Sequence, residues 1–253
     1  MTSTDHPERV AVVTGGARGI GLGIALALAR RGFAVALVDR LLSELEQARK
    51  DVEACGVPAL TLMGDVSQHA WVQDSAASVL ARWGHVDVLV NNAGISQPKG
   101  LLEISEDEFD LTIATNLKSQ FSWCKAIAPA MLAQGHGRII NISSVSANTG
   151  AGFSAVSRFA YCTAKAGVLG LTRGLAKELA PAVTVNAICP GAIQTKLTEQ
   201  MLATNSEAVL RSIPLGRYGT PEDIGEVAAF LATVSPNFMT GEVIDVDGGQ
   251  WVN

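Results

Sequence analysis

The sequence is poor in the residues that staple, ligate or anchor a chain. Four cysteines (Cys55, Cys124, Cys162, Cys189) are scattered over 253 residues with no C-x-x-C pair. Four histidines (His6, His69, His85, His136) stand equally far apart, with no H-E-x-x-H. No spacing suggests a metal site or a disulfide framework, so free thiols in a reducing compartment are expected. Basic residues are also short: 19 Lys and Arg against 24 Asp and Glu give a net charge of −5. That argues against nucleic acid or an anionic membrane as the main partner. No run of 18 apolar residues occurs, and Met1–Arg9 is polar, which predicts a soluble cytoplasmic protein. Charged residues are only 17% against 48% apolar, which excludes disorder and leaves ample material for a core. With no linker, repeat or composition break, a single domain over 1–253 is expected, its first nine residues a polar extension.

Short apolar runs do recur, and they alternate with helix-forming stretches. Val10–Thr14, Phe33–Val38, Ala59–Met63, Val86–Val90, Arg138–Ile142, Val183–Ile188 and Val243–Val246 read as strands. Between them lie helical stretches with start signals at Ser43–Glu46, Ser67, Ser105–Glu108 and Thr220–Pro221. The helix that starts at Ser105–Glu108 is long and reads as interrupted at Pro129, and another runs from Tyr161 to Ala180. The apolar runs are continuous rather than alternating, as in strands buried on both faces. The expected fold is α/β: a Rossmann-type, doubly wound, seven-stranded parallel sheet with helices on both faces.

In such a sheet ligands sit at the carboxyl ends of the strands, where the polar motifs of this chain fall. Gly15, Gly19 and Gly21 form a Gly-rich turn between the first strand and helix. Glycine lets backbone approach a pyrophosphate, and the helix N-terminus offers free N–H groups. Asp39 ends the second strand, where a carboxylate can accept the adenosine ribose hydroxyls and repel a 2′-phosphate. Arg18 and Arg40 pull the other way, because guanidiniums bind phosphate. Weighing Asp39 more heavily makes NAD(H) the expected cofactor, with NADP the less favoured one. Tyr161 and Lys165 stand four apart, on one face of a helix. At ~4.5 Å and an effective dielectric of ~20, their attraction is roughly 3–4 kcal/mol, enough to lower the phenol pKa by about 2–3 units. A general acid/base for neutral pH would follow.

Taken together, Thr14-Gly15-x3-Gly19-x-Gly21, Asp65-Val66, Asn91-Asn92-Ala93-Gly94, Asn116, Ser144, Tyr161-x3-Lys165, Pro190-Gly191 and Asp247-Gly248-Gly249 resemble the short-chain dehydrogenase/reductase family. They run from Val10 to Gly249 in the family's order. The resemblance implies that Tyr161 moves the alcohol proton, that Lys165 lowers the Tyr161 pKa and binds the nicotinamide ribose, and that Ser144 holds the substrate oxygen. It also implies that Asn116 holds a water linking Lys165 to solvent. Gly15, Arg18, Gly19, Ile20 and Gly21 would line the pyrophosphate. Asp65 and Val66 would flank the adenine, Asn92 and Gly94 would border the ribose, and Ile193 and Thr195 would meet the carboxamide. Ser144 is chosen over Ser143 because it directly precedes the hydrophobic Val145.

The expected reaction is direct hydride transfer between a nicotinamide and a secondary alcohol or its carbonyl, with no metal. Between Ser144 and Tyr161 lie more residues than the family's usual connection holds. Substrate walls are expected at Ser96–Gly100, Ser146–Arg158 and Gln194–Ile213, the last as a lid. Gln97, Asn148, Ser154, Ser157 and Arg158 suit a polyol, sugar or hydroxy acid, the expected substrate. Phe153 and Phe159 could instead line an apolar pocket. The alternative is an NADPH-dependent 3-oxoacyl-(acyl-carrier-protein) reductase. Such enzymes carry basic residues on two helices near the entrance; Lys177 fits one place, but Gly135 occupies the other. A non-catalytic nucleotide-binding regulator would show a broken Tyr/Lys/Ser set, and all three are intact here. The resemblance further implies a homotetramer.

Overall fold

Seven short, mostly apolar runs pair side by side and all in parallel in the computed structural model, which describes residues 8–150, 157–195 and 207–252. The strands are β1 (Val10–Thr14), β2 (Ala34–Asp39), β3 (Ala59–Met63), β4 (Val88–Asn91), β5 (Gly137–Ile142), β6 (Val183–Pro190) and β7 (Val243–Val246). Their order in the sheet is β3-β2-β1-β4-β5-β6-β7. The chain winds outward from β1 in one direction, then returns to start β4 on its other side. The crevice where the winding reverses lies between β1 and β4, beyond their carboxyl ends.

Side-chain alternation along each strand divides the core in two. Ala11, Val13, Val35, Leu37, Val88 and Val90 face helices α1 (Gly19–Ala29), α2 (Leu42–Glu53) and α8 (Pro221–Thr233). Val10, Val12, Ala34, Ala36, Val38 and Leu89 face the other layer. That layer holds α3 (His69–Trp83), α5 (Ser119–Gln134) and α7 (Phe159–Glu178). α4 (Glu106–Ile113) leads into α5, and the short α6 (Ser146–Thr149) follows β5. The strands are continuous apolar runs because both their faces are covered.

Several local expectations change. Ser105 and Glu108 do form a capping box at α4, and Thr220 with Asp223 forms one at α8. Ser43 does not cap α2: the helix starts at Leu42, and the Ser43 hydroxyl turns to Glu44 instead. Ser67 does not cap α3, which begins at His69. Pro129 does not interrupt α5, which runs through it. The irregularity lies upstream, in a π-helical turn at Ala114–Lys118. A π turn inserts one residue into the helical ladder and is often found at functional sites.

α1 and α8 cross closely because each carries a glycine at the contact. A Cβ on Gly23 would stand 2.5 Å from the Pro221 carbonyl oxygen, and one on Gly225 would stand 2.6 Å from that of Gly23. These contacts are backbone on backbone, so no side-chain rotation relieves them. Gly23→Ala is therefore expected to lower the unfolding free energy by about 1–2 kcal/mol, overpacking outweighing the better helix propensity of alanine. A urea titration reads this as a lower midpoint at unchanged slope; a midpoint at or above the parent's contradicts it.

Candidate functional site

The residues singled out in the sequence converge on one cleft of about 780 Å³ across the carboxyl ends of the strands. Gly15, Arg18, Gly19, Ile20, Gly21, Asp39, Asp65, Val66, Asn92, Gly94, Asn116, Ser144, Tyr161, Lys165, Ile193 and Thr195 all line it.

At one end the turn after β1 is built for backbone approach. Gly15 and Gly19 have φ of +64° and +55°. A Cβ on Gly21 would lie 2.0 Å from the Gly15 carbonyl oxygen, so no other residue fits. Asn92 braces this turn: its Nδ2 donates to the Thr14 carbonyl at 2.9 Å and to that of Gly15 at 3.2 Å. Thr14, buried at the end of β1, accepts from the N–H groups of Asn92 and Ala93 at 2.9 and 3.0 Å. The open turn, the helix start behind it and the glycine cradle fit a dinucleotide pyrophosphate.

Asp39 is held by backbone. Its carboxylate accepts from the N–H groups of Ala17 at 3.2 Å, Arg40 at 2.8 Å and Leu41 at 3.3 Å. Arg18 and Arg40 are exposed and border the same end of the cleft. Among the described residues neither guanidinium is paired with a carboxylate.

At the other end stand Ser144, Tyr161 and Lys165. The two serines are told apart by their bonds. Ser143 is buried, and its hydroxyl donates to the Lys165 carbonyl at 2.8 Å. Ser144 faces the cleft, accepts from the Ser146 N–H at 3.1 Å and lies near enough to the Tyr161 hydroxyl to favour its phenolate. Lys165 is 3% exposed, and its Nζ donates to the Ile142 carbonyl at 2.8 Å. The ammonium lies 5.6 Å from the centroid of the Tyr161 ring.

The expected lowering of the Tyr161 pKa does not occur in the protein alone. Burial pushes the phenol up to about 12, outweighing the nearby Ser144 hydroxyl that favours the phenolate. Burial also lowers Lys165 to about 8. The Coulombic expectation left out desolvation, which acts on both members of the pair.

Asn116 lies in the π turn and is fully buried. Its Oδ1 accepts from the Ile95 N–H at 3.1 Å, and its Nδ2 donates to the Thr112 carbonyl at 2.9 Å. The carboxamide is thus bonded to protein on both sides. The wall for a substrate is drawn by Ile95, Ser96, Leu111, Val145, Ser146 and Val209. Gln97 points away, 8% exposed, with its amide on Thr112. Phe159 stacks on Phe109 at 6.3 Å. Phe153, Ser154 and most of the expected lid lie outside the described residues.

One cleft residue carried no signal in the sequence. Gln250 accepts from the Ala192 N–H at 2.8 Å and donates to the Ser212 hydroxyl at 3.1 Å. It reaches the cleft only because the turn after β7 folds back over β6, which periodicity cannot show.

The family model described as enoyl-(acyl carrier protein) reductase matches residues 15–250. A 3-oxoacyl-(acyl-carrier-protein) reductase of Staphylococcus epidermidis is 38% identical over 97% of this chain and 100% of its own. Among solved structures, a short-chain type dehydrogenase/reductase from Mycobacterium marinum superposes with a TM-score of 0.90 at 35% identity, covering 96% of this chain and 95% of that one. An actinorhodin polyketide ketoreductase with NADPH superposes with a TM-score of 0.90 at 33% identity, over 99% of both chains.

These relatives correct two expectations. The polyol, sugar or hydroxy-acid substrate gives way to the acyl-carrier-protein alternative, the activity for which the relatives are named. Of its polar candidates Gln97 is turned inward, while Ser157 lines the cleft beside the apolar Ile95, Leu111, Val145 and Val209. The preference for NAD(H) gives way to NADPH, on the ketoreductase whose structure holds NADPH. Asp39 carried too much weight because its carboxylate already serves three backbone amides.

The buried ammonium makes stability depend on pH. With Lys165 at about 8 in the folded protein against 10.5 as its ordinary value, the unfolded chain binds the extra proton between those pH values. Stability therefore rises with pH between about 8 and 9, by on the order of 1 kcal/mol; above that the buried Cys124 and Cys189 thiols, raised by burial, act in the opposite sense. Lys165→Met should raise the urea midpoint at pH 7 and flatten this rise. An unchanged pH dependence in the variant contradicts it.

Proposed function

The chain belongs to the short-chain dehydrogenase/reductase family, and we propose that it is an NADPH-dependent reductase of 3-oxoacyl thioesters carried on an acyl carrier protein. The observation that carries this reading is the near-full-length likeness to reductases of that name. The geometry supports it at both ends of the cleft. Arg18 and Arg40 can take the 2′-phosphate as a charge-assisted pair, and Ile95, Leu111, Val145 and Val209 offer an acyl chain apolar contact.

NADPH, when bound, supplies the hydride. The hydroxyls of Ser144 and Tyr161 hold the 3-oxo oxygen between them, and Tyr161 gives that oxygen its proton. A phenol raised to about 12 is protonated at neutral pH, which suits a donor in the reducing direction. Lys165, close to its own titration at about 8, is placed to return a proton as Tyr161 is spent. Ser143, by holding the Lys165 carbonyl, fixes α7 against β5.

The test is NADPH oxidation with acetoacetyl-CoA as the soluble thioester probe. NADPH should exceed NADH in kcat/KM by at least about tenfold. Arg40→Ala should cost roughly tenfold to a hundredfold with NADPH, the worth of one charge-assisted hydrogen bond, and little with NADH. Tyr161→Phe should abolish turnover with NADPH affinity within a few fold. A higher kcat/KM for NADH, or no reduction of the thioester, overturns the proposal.

The same proposal takes the protein as a cytoplasmic homotetramer. No described helix is long and apolar enough to cross a membrane. α5 and α7 leave a face of Phe121, Leu132, Gly170 and Gly174 uncovered, and a Cβ on either glycine would meet nothing within 4 Å. Light scattering at micromolar concentration should give four chain masses; one chain mass contradicts it.

A further inference from the structure

Gln120 is 1% exposed at the start of α5, on the inner face of the helix. Its Nε2 donates to the Ile142 carbonyl at 3.3 Å and to the Asn116 carbonyl at 3.4 Å. The Ile142 carbonyl is the one that receives the Lys165 ammonium. The Asn116 carbonyl belongs to the π turn, where the inserted residue breaks the usual ladder. The orientation of the carboxamide is fixed, because its reversal would set an oxygen against two carbonyl oxygens.

The remaining oxygen, Oε1, is buried and finds no partner among the described residues. A core leucine of similar size would leave no such orphan. Packing alone does not account for glutamine here, since burying an unpaired carbonyl lowers stability. We infer that Gln120 is a positioning residue for Lys165, tying the carbonyl that seats the ammonium to the π turn that carries Asn116. This rests on the proton-supplying role proposed for Lys165.

The groups that face the ammonium come from four sides. Tyr161 stands on its own helix, the Ile142 carbonyl on β5 and Cys189 on β6. From beyond β4, a Cβ on Gly94 would lie 3.7 Å from Nζ and 2.6 Å from the Asn116 oxygen. Burial holds Tyr161 at about 12 and Cys189 at about 11, so both are neutral where Lys165 titrates. Gln120 therefore acts through the carbonyl it shares and not through charge.

The experiment is ¹⁵N NMR of the lysine ammonium groups in the full chain without nucleotide or thioester, so it decides whether or not the oxoacyl substrate is turned over. In Gln120→Leu the Lys165 ammonium protons should exchange with solvent at least about tenfold faster. The thermal midpoint should stay level or rise, because the orphan oxygen is gone, while kcat falls with NADPH affinity kept within twofold. In Gln120→Glu, which keeps length and adds a carboxylate, the Lys165 midpoint should move up from about 8 by at least about one pH unit. Exchange within twofold of the parent in the leucine variant, or an unmoved midpoint in the glutamate variant, overturns the inference. Loss of thioester reduction in the parent, with both NMR results as expected, would remove the functional reading and leave the seat of Lys165 intact.

Discussion

Parallel pairing sends every strand of this sheet out of the core on the same edge. Thr14, Asp39, Asn91, Ile142 and Pro190 are all strand ends there, and each is followed by chain that cannot continue the ladder. Backbone groups freed at that edge need partners, and the cleft is made of the answers. Thr14 takes two amides from the turn after β4, Asp39 takes three from the turns around it, and the Ile142 carbonyl takes the Lys165 ammonium. The chemistry is thus set on groups that the fold must satisfy in any case.

That arrangement explains why burial shapes the site more than pairwise charge does. Tyr161 and Lys165 are close, but each loses solvent, and desolvation moves the phenol up and the ammonium down. The pair is left with a phenol that keeps its proton and a lysine that is ready to part with one. For a reductase this is the useful polarity, and the simple picture of a lysine-stabilised phenolate would have suited the opposite direction better.

The sequence made the strands, the glycine turn and the Tyr161–Lys165 spacing readable, because each is local: a short apolar run, a φ that only glycine takes easily, two residues on one helical face. Boundaries were less readable. Ser43 had the look of a cap, yet Leu42 already lies in the helix, and Pro129 sits inside α5 where a break was expected. The substrate and the cofactor preference were misread for a different reason. Asp39 reads as a ribose ligand until its backbone partners are seen, and Gln97 reads as a cleft residue until its burial is known. Gln120 and Gln250 left no trace, since each matters through a carbonyl or amide distant in sequence.

The crossing of Gly23 and Gly225 joins the second element of the chain to its last described helix. α1, whose first turn completes the phosphate cradle, cannot settle against its partner until residues some two hundred positions later have been made. Contacts of that separation carry a high loop-closure cost and slow the search for the native state. During synthesis the glycine turn therefore emerges early but gains its support late. The packing of α1 is complete only after α8 has left the ribosome.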